Sequence, residues 1–194
     1  MKRHAWPVFV FAFTATVSLL LWTQESTSQS GAPSSLPDPA SMEEIVPRFA
    51  EASSILTPQL GKRPKDYFSP RKAIDGDWET CWAEAVEGAG IGEWIKLVWL
   101  TGETPTYIAV LPGWAKTKAR WENNPRVKVA EITLSNGYRQ IISFKDKMQL
   151  QFSPLKTGKP AEWLKLEIKQ VYPGKRFQDT SISEIKVFRY KAPH

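Results

Sequence analysis

Two acidic phrases far apart in the chain hold residue types suited to a hard cation: Ala73-Ile74-Asp75-Gly76-Asp77-Trp78-Glu79-Thr80-Cys81-Trp82 and Ser181-Ile182-Ser183-Glu184-Ile185. Asp75 and Asp77 sit two apart around Gly76, with Thr80 beyond. A tight turn there would aim side-chain and main-chain oxygens inward, the environment calcium prefers. Glu184 would tie that loop to the far end of the same domain. The competing reading is that Asp75 and Asp77 cap a turn while Glu184 pairs with a Lys or Arg, and the spacing is compatible with both. In either case the role is structural.

A second constellation is aromatic and cationic. Trp114, Trp121 and Tyr172 fall in loop segments beside Lys116, Arg120, Asn123, Asn124 and Arg126. Sugar rings have apolar faces and polar edges, so rings for stacking and amide or guanidinium groups for hydroxyls are what a glycan site requires. The plainer alternative makes Trp121 and Tyr172 plugs for the end of the fold, with Asn124 and Arg126 satisfying loop carbonyls.

Catalysis has little support. The two histidines are His4 and His194, which leaves no histidine for a triad or a histidine metal site in the body of the chain. Glu84, Glu87 and Glu93 are the available carboxylates for glycoside cleavage, but nothing places two of them across a sugar cleft. The loop from Glu87 to Glu93 carries three glycines, yet it opens no helix and lacks the Lys and Ser/Thr of a phosphate-cradling motif.

The formal charge of +6, from 26 basic and 20 acidic residues, contains no run of five like charges. Such an excess describes a solvated basic face and argues against a nucleic-acid partner. Cys81 is the single cysteine, so no internal disulfide forms; beside Trp82 it reads as a small buried core thiol.

The N-terminus has the order of a secretory signal: Lys2, Arg3 and His4, an apolar run from Val8 to Trp22, then a polar stretch of small residues from Thr23 to Ser30. The apolar run is shorter than the roughly 20 residues that span a bilayer comfortably. We assign residues 1–28 as signal peptide and expect extracytoplasmic localisation, secreted or periplasmic. Residues 29–47 read as a Pro/Ser-rich linker with one helical turn at Ser41–Val46, stopped by Pro47. Residues 48–191 form the folded domain.

Within that domain the elements that must position both constellations are short β-type runs. Trp94–Trp99, Thr106–Leu111, Val127–Leu134, Tyr138–Phe144, Trp163–Lys169 and Ile185–Tyr190 are divided by Gly, Pro and Asn, and Asn136-Gly137 is a hairpin signal. Each strand is expected to be half buried, with one dry face. Trp78, Trp82, Trp94, Trp99 and Trp163 are expected in the core, Trp82 and Trp94 first among them. With no long helical period and no strand–helix alternation, the fold class is all-β, an antiparallel jelly-roll sandwich.

The chain resembles the discoidin-like, galactose-binding-like jelly rolls. It is most similar to the bacterial NADase-type glycan-binding domain, the kind found as the translocation domain preceding a streptococcal toxin's NAD glycohydrolase. The matching phrases are Ala52-Ser53-Ser54-Ile55-Leu56, the Asp75–Trp82 loop, Glu87 to Ile95, Asn123-Asn124-Pro125-Arg126, Val171-Tyr172-Pro173-Gly174 and Asp179 to Ile185. Two departures stand out: Lys72 replaces the usual Asn before Ala73, and Leu111-Pro112-Gly113-Trp114 replaces an Asn-Gly and Tyr loop. The resemblance implies structural Ca2+ held by main-chain oxygens near Lys72 and Thr80, by Asp75 and Asp77, and by Glu184. It also implies an exported, non-catalytic module whose partner is a glycan or glycoconjugate, bound through loops at one end. A protein-interaction module of the cell envelope and a membrane-surface module are the alternatives. The catalytic NAD glycohydrolase region has no counterpart in these residues.

Overall fold

The computed structural model describes residues 41–59 and 61–191. The expected signal peptide and residues 29–40 of the expected linker lie outside the described residues, among which no helix is long and apolar enough to cross a membrane.

Ten strands follow in order: β1 (Met42–Glu44), β2 (Phe49–Ala52), β3 (Trp82–Ala83), β4 (Trp94–Glu103), β5 (Tyr107–Pro112), β6 (Arg126–Leu134), β7 (Arg139–Ser143), β8 (Gln151–Pro154), β9 (Ala161–Tyr172) and β10 (Ser181–Tyr190). One helix, α1 (Lys118–Asn123), and a 3-10 turn at Pro70–Ala73 accompany these strands among the described residues. Strands β2-β4-β9-β6-β7 pair antiparallel in that order. The second group is β8-β5-β10, with β1 and β3 also paired to β10. A single parallel pair, Ser181 with Arg126, joins the two groups. The result is the antiparallel jelly-roll sandwich that the alternation of the strands predicts.

The period-two pattern explains the core. In β9 the inward residues Leu164, Leu166 and Ile168 are fully buried, and they face Ile95 and Leu97 of β4 and Ala130, Ile132 and Leu134 of β6 across the pairing register. Ile108, Val110, Ile182, Ile185 and Val187 complete the same cluster from the other group. Asn136-Gly137 closes the β6–β7 hairpin, with Gly137 at φ 87°.

Five expectations need correction. Ser41–Val46 is not a helical turn: Met42–Glu44 is a strand pairing with Tyr190–Phe188, so the folded body begins before residue 48. The open edge of β10 supplies main-chain partners there, Met42 and Ile45 are buried, and Lys186 and Arg189 pair with Glu44 and Glu43. Strand β5 has no wet face, being buried along its whole length between β10 and β8. Trp94 and Trp163 are only partly buried, the Trp94 ring lying 5.9 Å from the Lys96 ammonium and Trp163 alternating outward beside inward Leu164, and Trp78 is half exposed in the acidic loop. The helix α1 was not legible at all.

Gly113, which leads β5 into the Trp114 loop, has φ 85°. A Cβ there would lie 2.4 Å from Arg126 Cγ and 2.8 Å from Trp121 Cδ1. Gly137 has a similar φ but open space around it. Gly113→Ala is therefore expected to cost roughly 2–4 kcal/mol, left-handed strain plus overpacking, and Gly137→Ala about 1 kcal/mol from strain alone. Urea unfolding of the two variants checks this; equal losses would mean the Gly113 environment yields freely.

Candidate binding sites

The acidic loop starts from the 3-10 turn. Asp75 Oδ1 accepts from Asp77 N at 3.0 Å, and Asp77 Oδ1 accepts from Glu79 N at 2.9 Å, so both aspartates cap turns. They also do more than cap. The Thr80 hydroxyl lies 3.0 Å from each of Lys72 O, Asp75 Oδ1, Asp75 Oδ2 and Asp77 O. One hydroxyl has one proton, so it satisfies one of these four oxygens at a time.

Glu184 reaches toward this loop from β10. It is 1% exposed, and its Oε2 has no hydrogen-bond partner. Burial pushes its pKa up to about 7, the Asp75 charge adds to the rise, and Lys186 and the Gly76 N–H oppose it. The Lys186 ammonium is engaged by Glu44 at 2.9 Å. Among the described residues no three acidic, His or Cys side chains converge as a metal cluster. The oxygens that do converge are Lys72 O, Asp77 O and the Asp75 carboxylate, whose Oδ2 also lies 3.4 Å from the Lys72 ammonium; main-chain and carboxylate oxygens beside an orphaned buried carboxylate are donors of the kind calcium takes.

The sequence-predicted ligand residues divide into two groups. A pocket of about 280 Å³ opens at the loop end of the sandwich and brings Trp114, Arg120 and Asn124 together. Trp114 forms its base, 4% exposed, edge-on to Phe68 with centroids 5.5 Å apart. Arg120 lies over the indole at 4.3 Å, and the Asn124 amide donates to Arg120 O at 2.7 Å. A second hollow of about 560 Å³ shares Arg120 and Phe177 with the first and adds Asn123.

Four residues stand elsewhere. Lys116 pairs with Glu79 at 2.8 Å. Trp121 is buried, with its Nε1–H donating to Pro112 O at 2.8 Å, which makes it a plug. Arg126 is buried over the Trp121 ring, bidentate to Asp146 and bonded to Pro173 O at 2.9 Å. Half-buried Tyr172 donates to Phe144 O at 3.1 Å. The plainer reading thus describes Trp121, Arg126 and Tyr172, and also Asn124, which is 7% exposed and satisfies Arg120 O, because each finds a polar partner inside the protein.

Sequence reasoning missed much of the pocket wall: Lys62 and Arg63 after Leu56–Gln59, and Phe177 with Asp179 opposite. Arg63 lies 4.2 Å from the Tyr67 ring and 5.4 Å from that of Trp114. Phe177 is 44% exposed and is placed by its N–H donating to Asn123 O at 2.9 Å. A lone aromatic in the polar run Lys175-Arg176-Phe177-Gln178-Asp179 was the available signal. The carboxylates Glu84 and Glu93 are occupied structurally: Glu84 accepts from Thr180 N and Val86 N, and Glu93 from the Ser53 and Ser54 hydroxyls.

This fold with a loop-end pocket defines the discoidin-like class. The chain belongs to the NAD glycohydrolase translocation F5/8 type C domain family, whose model matches residues 44–188. Among solved structures it is similar to the family 32 carbohydrate-binding module of NanJ from C. perfringens in complex with galactose, at 21% identity and TM-score 0.56, covering 76% of this chain and 99% of that one. It is also similar to CpGH89CBM32-5 from Clostridium perfringens in complex with GalNAc-β-1,3-galactose, at 22% identity and TM-score 0.52, covering 77% and 96%. Chitosan-binding module 1 from the chitosanase/glucanase of Paenibacillus sp. IK-5 matches at 17% identity and TM-score 0.53, covering 74% and 96%. At these identities the likeness shows the fold alone. A comparison with curated proteins found no match.

Cys81 packs with Trp114, Phe68 and Ala83, and burial pushes its thiol far above the ordinary range. The folded protein is expected to resist labelling by DTNB and to release one equivalent of thiol only in denaturant. Rapid stoichiometric labelling of the native protein would show that the aromatic layer does not seal Cys81.

Proposed function

We propose that this chain is an exported, non-catalytic module that recognises a glycan in the pocket between Trp114, Arg120, Asn124 and Phe177, with a structural calcium ion at the Asp75–Thr80 loop. The observation that carries the reading is the pocket itself. It sets the exposed Phe177 ring, with the Trp114 indole covered by Arg120 beneath, beside Thr57, Gln59, Asn124 and Asp179. Aromatic surface suits the C–H face of a sugar, and the amide and carboxylate oxygens accept from its hydroxyls. Binding is a single non-covalent step on a preformed surface. A site of this size buries little ligand area, so each contact is weak and avidity comes from repetition of ligand or module. Three supports lie outside the pocket: family membership, the sugars bound by structural relatives, and the signal-like residues 1–28.

A glycan array followed by calorimetry tests this reading. Phe177→Ala, which removes exposed surface only, is expected to weaken glycan binding about tenfold, the worth of one stacked ring, with an unchanged melting temperature. Trp121→Phe is expected to do the reverse, costing about 1 kcal/mol through the lost bond to Pro112 O while affinity is kept. An array without a single bound glycan would overturn the assignment.

Calcium would be held by Lys72 O, Asp77 O, the Asp75 carboxylate and Glu184, with Thr80 oriented among them. Bound there, it would neutralise carboxylates that otherwise repel. The sign of the pH effect follows from the raised Glu184 value. Without metal, the native state holds its proton more tightly than the unfolded state, so stability is highest when Glu184 is protonated. It falls as pH rises from about 4.5 to about 7, by roughly 3 kcal/mol at most. Calcium is expected to raise the melting temperature at pH 7.5 and to abolish this slope, and Glu184→Gln is expected to remove both effects. A melting temperature indifferent to calcium and EDTA would count against the ion.

A further inference from the structure

The two hollows at the loop end have an unbalanced charge. Lys62, Arg63, Arg120 and Arg176 line them, against Asp179 alone. None of these four cations joins a salt bridge among the described residues, whereas Lys116, Lys118 and Lys175 nearby are paired with Glu79 and Glu122. Arg63 and Arg120 are held instead by rings, at 5.4 and 4.3 Å from the Trp114 centroid, and Arg176 by Phe177 at 5.4 Å. Ring stacking fixes a guanidinium without neutralising it or using its N–H donors. Arg63 Nη1 is buried with no hydrogen-bond partner. Arg63 itself lines the first hollow, and an unpartnered charged donor just behind that wall carries a cost that a small shift of the guanidinium toward a ligand oxygen would relieve.

We propose that the ligand is an acidic oligosaccharide, with one anionic sugar seated against Arg63 and Arg120 and a neighbouring unit reaching Arg176. This rests on the glycan reading above and sharpens it to a substrate class. A planar carboxylate matches the guanidinium fork bidentately, and a sulfate ester offers the same charge with tetrahedral oxygens. Neutral galactosides leave the Arg63 donor unpaired. Phe177 and Arg120, shared by both hollows, stand where the linkage between two units crosses. Asp179 remains an acceptor for ring hydroxyls.

The test is calorimetry of the purified protein with galacturonate, trigalacturonate, its methyl ester, a sulfated galactotriose and neutral galactotriose, at low and high salt. The expected result is that trigalacturonate binds about tenfold tighter than its ester, the worth of a charge-assisted hydrogen bond, and weakens with salt. Arg63→Gln and Arg120→Gln should each bring the acid and the ester to the same affinity. Arg176→Gln, at the rim and remote from the aromatic base, should weaken the trimer and leave the monosaccharide unaffected, a readout that stands if Arg63→Gln fails to fold. Tight binding of the sulfated sugar as well extends the class to any acidic sugar, and binding of the carboxylate alone assigns a bidentate fork. Neutral and acidic trimers of equal affinity, or acidic binding indifferent to both arginines, overturns the inference while the glycan reading stands. Silence with every glycan on an array overturns both.

Discussion

The buried polar run from Thr180 to Glu184 is the constraint on which both ends of the domain depend. Thr180 N donates to Glu84 Oε1 at 2.7 Å, and its hydroxyl donates to Ala89 O at 2.8 Å, pinning the glycine-rich loop. Gly113 N donates to Ser181 O at 2.9 Å, which brings the Trp114 loop in. Ser183 Oγ accepts from Ala115 N at 2.8 Å and donates to Trp78 O at 3.2 Å, stitching that loop to the acidic one. Apolar residues would fill the same volume, but they would not specify which loop oxygen or N–H sits where. Buried polar groups are costly when unpaired, and here the pairing of Thr180, Ser181 and Ser183 sets loop positions.

The acidic loop and the loop-end pocket are consequently one mechanical unit. Trp114 Nε1–H donates to Glu79 O at 2.8 Å, so the base of the pocket hangs from the turn that contains Asp75, Asp77 and Thr80. Lys116 and Glu79 add an ion pair on the exposed side, worth little by itself in water. Whatever fixes the turn also fixes the indole, and with it the two guanidinium groups that rest on the indole. Calcium at the turn would act on the pocket by this route without touching a ligand.

The strands were legible because a period of two leaves a mark in the sequence wherever one face is dry, as in Leu164, Leu166 and Ile168. The hairpin was legible because only Gly or Asn readily takes the φ of position 137. Glu184 was legible as a partner of the Asp75 loop through chemistry and resemblance, although not as a buried carboxylate with one oxygen orphaned. Strand β1 was not: its three residues have no pattern of their own and are recruited by the edge of β10. The six residues of α1 carry one buried side chain, Trp121, too few to show a helical period. Trp121 and Arg126 looked like ligand residues by type, yet type does not reveal that Pro112 O and Asp146 wait for them inside. Arg63 and Phe177 join the pocket only through long-range placement, Phe177 through Asn123 O, and no local spacing encodes that.

The way the pocket holds its arginines bears on selectivity. A guanidinium tied to a carboxylate is neutral to a passing ligand, which must break the existing pair before it gains anything. Arg126, bidentate to Asp146, is of that kind and serves the loops. Arg63 and Arg120 are fixed by the faces of Tyr67 and Trp114, so their charge and donors remain available while their side-chain entropy is already reduced. The same aromatic layer lowers the local dielectric behind them, which strengthens attraction to an anion and raises the cost of leaving Arg63 Nη1 unpaired. On the acidic-glycan proposal, discrimination would come from both directions: the ligand with an oxyanion would gain a charge-assisted bond, and the ligand without one would leave a buried donor unsatisfied.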